Sequence, residues 1–126
     1  MTDNINPNHY KNGPFECIEL SRLLSSDWGQ AVQYCFRWQH KNGVEDLKKA
    51  LWFINDALNH NVPPIAAWNG EDACGCIAKV DTLLEKLAVE NWADLGQFWL
   101  ELEHGTAYTV RLALAEKINE IEKEDK

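Results

Sequence analysis

The chain has 126 residues, 45% of them hydrophobic, enough for one domain with a real core. Its formal charge is −8, with six basic and seven acidic side chains in residues 1–60 against six basic and thirteen acidic in 61–126. That balance argues against a protein that wraps nucleic acid by neutralising phosphates, while an acidic surface that docks on a basic partner, or a local cation cluster that takes a small anion, stays open.

The apolar residues recur with helical period almost throughout, and no segment alternates as a strand would. A first helix is expected over about 14–24, with Pro14 at its first position and Phe15, Ile18 and Leu23 or Leu24 inward. A second spans about 28–39, opened by Asp27 and Gln30 as a capping pair. Its buried stripe is Trp28, Ala31, Val32, Cys35 and Trp38, and its opposite, polar stripe is Gln30, Gln33, Arg37 and Lys41. A third spans about 44–60, with Leu47, Ala50, Leu51, Ile54 and Leu58 on its core face. Trp52 and Phe53 widen that face, as in a helix packed on more than one side.

Asn61-Val62-Pro63-Pro64 makes a stiff connector. A fourth helix follows over about 70–90, with Asn69 as its cap and Ile77, Val80, Leu83, Leu84 and Leu87 on one side. Asn91 and Asp94 signal the start of a fifth, carrying Trp92, Leu95, Phe98, Trp99 and Leu102, which Gly105 ends. A sixth carries Val110, Leu114, Ile118 and Ile121. Asn-Gly occurs at 12–13, 42–43 and 69–70, each time just before a helical pattern, so all three read as helix-starting turns. The expectation is an all-α, compact helical bundle of about five or six helices in a single domain, 1–126. Its wide apolar faces and six tryptophans suit a homo-oligomer, an interface or a flat ligand.

The start, Met1-Thr2-Asp3-Asn4-Ile5-Asn6, carries neither a basic region nor an apolar run, and no stretch approaches the ~18 apolar residues of a membrane span. A cytoplasmic setting and no membrane partner are expected. The four cysteines, 17, 35, 74 and 76, then read as reduced thiols. Cys74-Gly75-Cys76 lacks a second ligand pair, no two histidines stand at the i,i+4 spacing of a helical metal site, and no metal site is expected. Glu71, Asp72, Asp81 and Glu85 share one predicted helix and read as a solvated acidic face.

An antiparallel pairing of the second and third helices brings Arg37 and Lys41 near Glu45, Asp46, Lys48 and Lys49, across a turn with Asn42 and Gly43. Cations, carboxylates and a helix N-terminus in one corner suit phosphate. The same pattern also arises in an ordinary helical hairpin, where Glu45 and Lys49 are a common i,i+4 pair. Both readings follow from the spacing.

Four ordered blocks add to it: Asn6-Pro7-Asn8-His9-Tyr10-Lys11; Glu16-Cys17-Ile18; Gly29-Gln30-Ala31-Val32-Gln33-Tyr34-Cys35-Phe36-Arg37; and Lys41 followed by Glu45-Asp46-Leu47-Lys48-Lys49-Ala50-Leu51-Trp52-Phe53. Over about residues 5–60 the chain resembles the small phage nucleotide kinase-like family, proteins akin to phage deoxynucleoside monophosphate kinases. Gln30 stands where that family carries Asn, and Gln33 where it carries Lys. Residues of about 65–126 form an acidic helical extension without a motif of that family.

The resemblance implies phosphoryl transfer from a nucleoside triphosphate, with Mg2+, to a deoxynucleoside monophosphate in an infected bacterial host. No Gly-x-x-x-x-Gly-Lys-[Ser/Thr] loop is present, so positioning and charge neutralisation by side chains would carry the reaction. Arg37, Lys41 and Lys49 are the expected phosphate contacts. Asp46 is expected to hold a metal or orient the donor. His9, Tyr10, Lys11, Gln33 and Tyr34 are the expected substrate-binding residues. With Gln33 in place of Lys, Arg37 is expected to supply more of the positive charge without a part in the fold. The alternative is a non-catalytic acidic effector that binds and inhibits a host defence protein through its C-terminal half.

Overall fold

In the computed structural model, residues 14–65 and 72–124 are described, with side chains from 77 onward in the second stretch. Every regular element among them is helical: α1 Cys17–Ser21, α2 Ser26–Arg37, α3 Val44–Asn59, α4 Asp72–Val89, α5 Gly96–His104 and α6 Ala107–Glu124. Two 3-10 turns, Trp38–His40 and Trp92–Asp94, join them. The protein is an all-α helical bundle. No helix of the described residues is long and apolar enough to cross a membrane.

The first helix is shorter than its sequence suggests. Cys17 and Leu20 are buried, while Ile18, expected inward, is 45% exposed. Glu16 donates its backbone N–H to the Glu19 carboxylate at 3.1 Å, which sets the start two residues after Phe15. α1 lies tight against α2: a β-carbon on Gly29 would sit 2.9 Å from the Ser21 carbonyl oxygen, so the helices approach backbone to backbone.

α2 opens at Ser26 rather than on an Asp27–Gln30 pair. The Ser25 hydroxyl, in place of a capping bond, donates to Pro63 O at 2.7 Å, its N–H donates to Pro64 O at 2.7 Å, and the Trp28 indole N–H donates to Val62 O at 2.9 Å. The connector after α3 is thus fastened to the start of α2. Proline has no N–H to offer, but its carbonyl remains a full acceptor. At the other end Asn42 and Gly43 start α3 as a turn, with Gly43 at φ +64°. Asn12-Gly13 and Asn69-Gly70 lie outside the described residues.

With its two ends fastened this way, α3 runs antiparallel to α2, burying Trp28, Val32, Cys35, Leu47 and Ile54, with Leu51 partly covered. Its other flank packs on α6, where Lys48 meets Glu122 at 2.7 Å. Trp52, expected to widen the core face, is instead 61% exposed, because α2 and α6 occupy only the two flanks of α3. Ile77 is likewise exposed, and α4 buries Val80, Leu83, Leu84 and Leu87 against α5.

Aromatic rings join the halves. Phe36 of α2 lies 5.3 Å from Trp92 and 6.3 Å from Trp99, and the Trp38 indole N–H donates to Ala93 O at 2.8 Å. The Trp92–Asp94 turn is bent by positive φ at Asn91, Ala93 and Asp94 (49°, 58° and 59°). It is held by Gly96 N–H donating to Asn91 Oδ1 at 2.7 Å and by the Asp94–Lys117 ion pair to α6. α6 starts on a reciprocal pair: Thr106 N–H donates to Thr109 Oγ1 and Thr109 N–H to Thr106 Oγ1.

Candidate functional site

The corner where α2 ends and α3 begins brings part of the expected set together. Tyr34 is its centre. The Arg37 guanidinium lies 4.7 Å from the Tyr34 ring centroid, the Lys49 ammonium 5.7 Å from it, and Phe53 stacks on the ring at 5.9 Å and 19°. Residues 34 and 37 share a face of α2, and 49 and 53 share a face of α3, so the antiparallel pairing sets cation and ring against each other. Lys41 is exposed in the link between the helices, and Lys49 is exposed on the first turns of α3.

Asp46 differs most from expectation. Its side chain has no exposed surface and faces Arg37, whose Nε stands 3.5 Å from Asp46 Oδ2. Asn42 adds its backbone N–H to Oδ2 at 3.3 Å and its amide Nδ2 to Oδ1 at 3.4 Å. Arg37 is therefore only 22% exposed and joined to the fold, rather than standing clear on an outer polar stripe. The sequence held one signal for this: positions 46, 50, 54 and 57 are i,i+4 or i,i+3 neighbours, and 50, 54 and 57 are core residues. The charge at 46 masked its membership of that face.

Asp46 is the carboxylate at the centre of this corner. Sealed against Arg37 and Asn42, it does not fit a protein-held Mg2+, which needs hard oxygen ligands facing the site. Glu45 is exposed but turned to Lys48 at 3.5 Å, and Lys48 is held further by Glu122, whose hydrogen bond raises the lysine's pKa. No group of three His, Cys, Asp or Glu among the described residues is arranged to hold a metal ion. Gln33 is turned to α1, its amide 3.5 Å from the Ser21 hydroxyl, and so sits apart from the Tyr34 cluster. His9, Tyr10 and Lys11 lie outside the described residues.

Behind the corner, Cys17 and Cys35 are buried free thiols. Burial pushes the Cys17 thiol up to about 12, against a smaller opposing pull from Arg37. Burial, with Cys17 and Asp46 near it, holds Cys35 well above its ordinary value. Neither is a nucleophile at neutral pH. The side chains of Cys74 and Cys76 are outside the described set.

Other surface features lie in the second half. A cleft of about 350 Å³ between α5 and α6 is lined by Asp94, Gln97, Glu116, Lys117 and Glu120 among others. A shallower hollow of about 310 Å³ between α4 and α5 exposes Val89 and Leu100 beside Glu85, Glu103 and His104. Burial, with Glu85 and Asp81 close by, raises the Glu103 pKa against the pull of His104.

Fold and corner together define a small all-helical protein with a cation–aromatic cluster and no metal cradle in that cluster. Over residues 5–55 the chain matches a family described as proteins of unknown function, DUF3310. That stretch contains the whole of the Tyr34 cluster and ends inside α3. No curated protein matches the chain, and no solved structure matches it.

Proposed function

We propose that the α2–α3 corner binds a deoxynucleoside monophosphate and that the protein is a nucleotide kinase-like phosphotransferase of phage type, acting in the cytoplasm of the infected cell. The observation that carries this reading is the placement of Arg37 and Lys49 across one tyrosine ring, with Lys41 in the adjoining turn. The four ordered sequence blocks support it. Lys49 and Lys41 take the phosphate, since both are exposed and neither is offset by the buried carboxylate. Arg37 is a positioning residue: Asp46 offsets its charge, and its guanidinium fixes the Tyr34 ring. The donor is a nucleoside triphosphate, and positioning and charge neutralisation by side chains carry the transfer.

A melting-temperature and turnover screen tests this. The four deoxynucleoside monophosphates are each offered with ATP, and diphosphate product is measured. The expected result is a raised Tm with at least one of them and turnover that Lys49→Ala reduces at least tenfold, the loss of one charge-assisted contact. The absence of any shift at millimolar nucleotide would sink the reading.

One observation favours a second reading, an acidic effector that docks on and inhibits a basic host defence protein. Val89 is 78% and Leu100 41% exposed beside Glu85 and Glu103, and Tyr108 and Leu112 of α6 are exposed as well. Apolar side chains ringed by carboxylates suit a cationic, amphipathic partner. That reading expects no nucleotide affinity, so the same screen separates the two.

A further inference from the structure

Tryptophans elsewhere in the described chain are used by the fold. Trp28 and Trp99 are fully buried with their indole N–H groups bonded to Val62 O and Trp92 O, and Trp38 is bonded to Ala93 O. Trp52 is 61% exposed in the middle of α3. A large flat ring left exposed in the middle of a helix contributes little to the core and is open to a flat ligand.

Phe53 meets the indole edge to face at 5.1 Å and 86°, and Phe53 in turn stacks on Tyr34, the ring flanked by Arg37 and Lys49. Trp52 is thus the outermost ring of a connected aromatic group whose inner end carries the cations. Lys49 lies three residues before Trp52 and Lys48 four, both within one helical turn. These two lysines are not equivalent. Lys48 already faces two carboxylates, Glu122 at 2.7 Å and Glu45 at 3.5 Å, so an anion placed there meets net negative charge. On the other flank Asp46 offsets Arg37, which leaves Lys49 and the turn's Lys41 as the net positive charge of the α2–α3 corner among the described residues. Asp56, one turn beyond Trp52, is turned to His60 at 3.4 Å. A flat apolar ring with a cation one turn away on one side suits a ligand that is planar at one end and anionic at the other.

We propose that Trp52 is the stacking surface for the base of the nucleotide whose phosphate Lys49 holds. This rests on the nucleotide-binding reading above and adds to it a base subsite on the solvent face of α3. Stacking on a ring is tolerant of base identity, because every base has a π face, so the subsite accepts purine and pyrimidine alike.

The test is calorimetry on the full chain with dTMP, dGMP and deoxyribose 5-phosphate, for the parent protein and for Trp52→Ala, Trp52→Phe and Lys49→Ala, each with a melting curve. Trp52→Ala should weaken both nucleotides about ten- to a hundredfold, the usual loss of one base–aromatic stack. It should leave the sugar phosphate and the Tm as in the parent. Trp52→Phe should keep most of the affinity but lose the quenching of tryptophan emission that nucleotide causes in the parent. Lys49→Ala should weaken all three ligands. Parent-like nucleotide affinity in Trp52→Ala, or quenching that persists in Trp52→Phe, overturns the base subsite while leaving the phosphate site standing. No nucleotide affinity in the parent overturns both.

Discussion

Replacing Arg37 by Met tests the reading of Arg37 as a part of the fold. The substitution keeps most of the side-chain stem and removes the cation that faces Asp46, whose carboxylate has no exposed surface. Removing one partner of a fully buried ion pair costs about 3–5 kcal/mol, because the remaining charge is left in a low-dielectric site. Two features reduce this. Arg37 is 22% exposed, so water can approach the place it vacates, and Asn42 still offers two donors at 3.3 and 3.4 Å. The expected loss is therefore about 2–3 kcal/mol, at or just below the bottom of that range. For a chain of this size that corresponds to a Tm drop of roughly 6–12 °C. Urea denaturation of the parent, Arg37→Met, Asp46→Asn and the double variant measures it. The double variant should be more stable than the sum of the single losses predicts, by about 1.5 kcal/mol or more, since the stranded charge is then gone. Additive losses, or a loss below about 1 kcal/mol as for a surface pair, would refute the claim that Arg37 is built into the fold.

Gly29→Ala should destabilise by about 1–3 kcal/mol, read by the urea midpoint, because the new methyl meets the Ser21 carbonyl oxygen at 2.9 Å and α1 must move off α2. Ala93→Gly should raise the Tm, by the equivalent of roughly 1 kcal/mol, by relieving a non-glycine residue held at φ 58°; a fall would mean that the buried methyl outweighs the strain. The Cys17 thiol ionises near 9.0 when unfolded and at about 12 in the fold. Its protonated form is thus favoured by folding, and the stability it contributes below pH 9 is lost as pH rises toward 12, on the order of 1.4 kcal/mol per unit. Cys17→Ala should flatten that slope, and in the native parent Cys17 and Cys35 should resist a thiol reagent at neutral pH.

The helical class, the order of the segments and the Asn42-Gly43 turn are legible in the sequence because their causes are local. A 3.6-residue recurrence of apolar side chains, a proline pair and a residue free to take positive φ act within a few positions of themselves. The pairing of α2 with α3 follows almost as directly, from a short link between two amphipathic helices. The core stripe of α2 and the buried residues Leu47, Ala50 and Ile54 of α3 came from the same periodicity. Ile18 did not, because the first helix buries Cys17, Leu20 and Ser21, which leaves Ile18 on its outer side. The site was legible only as a collection of charges in one corner. Which of those charges face outward depended on neighbours far along the chain. α6 covers one flank of α3 and α2 the other, so Trp52 is left in solvent although its residue type reads as core. Asp46 is drawn inside although its type reads as surface, because Arg37 arrives from α2 to offset it. Periodicity states which residues of a helix share a face; only the packing of the other helices decides which faces are covered and which charges meet.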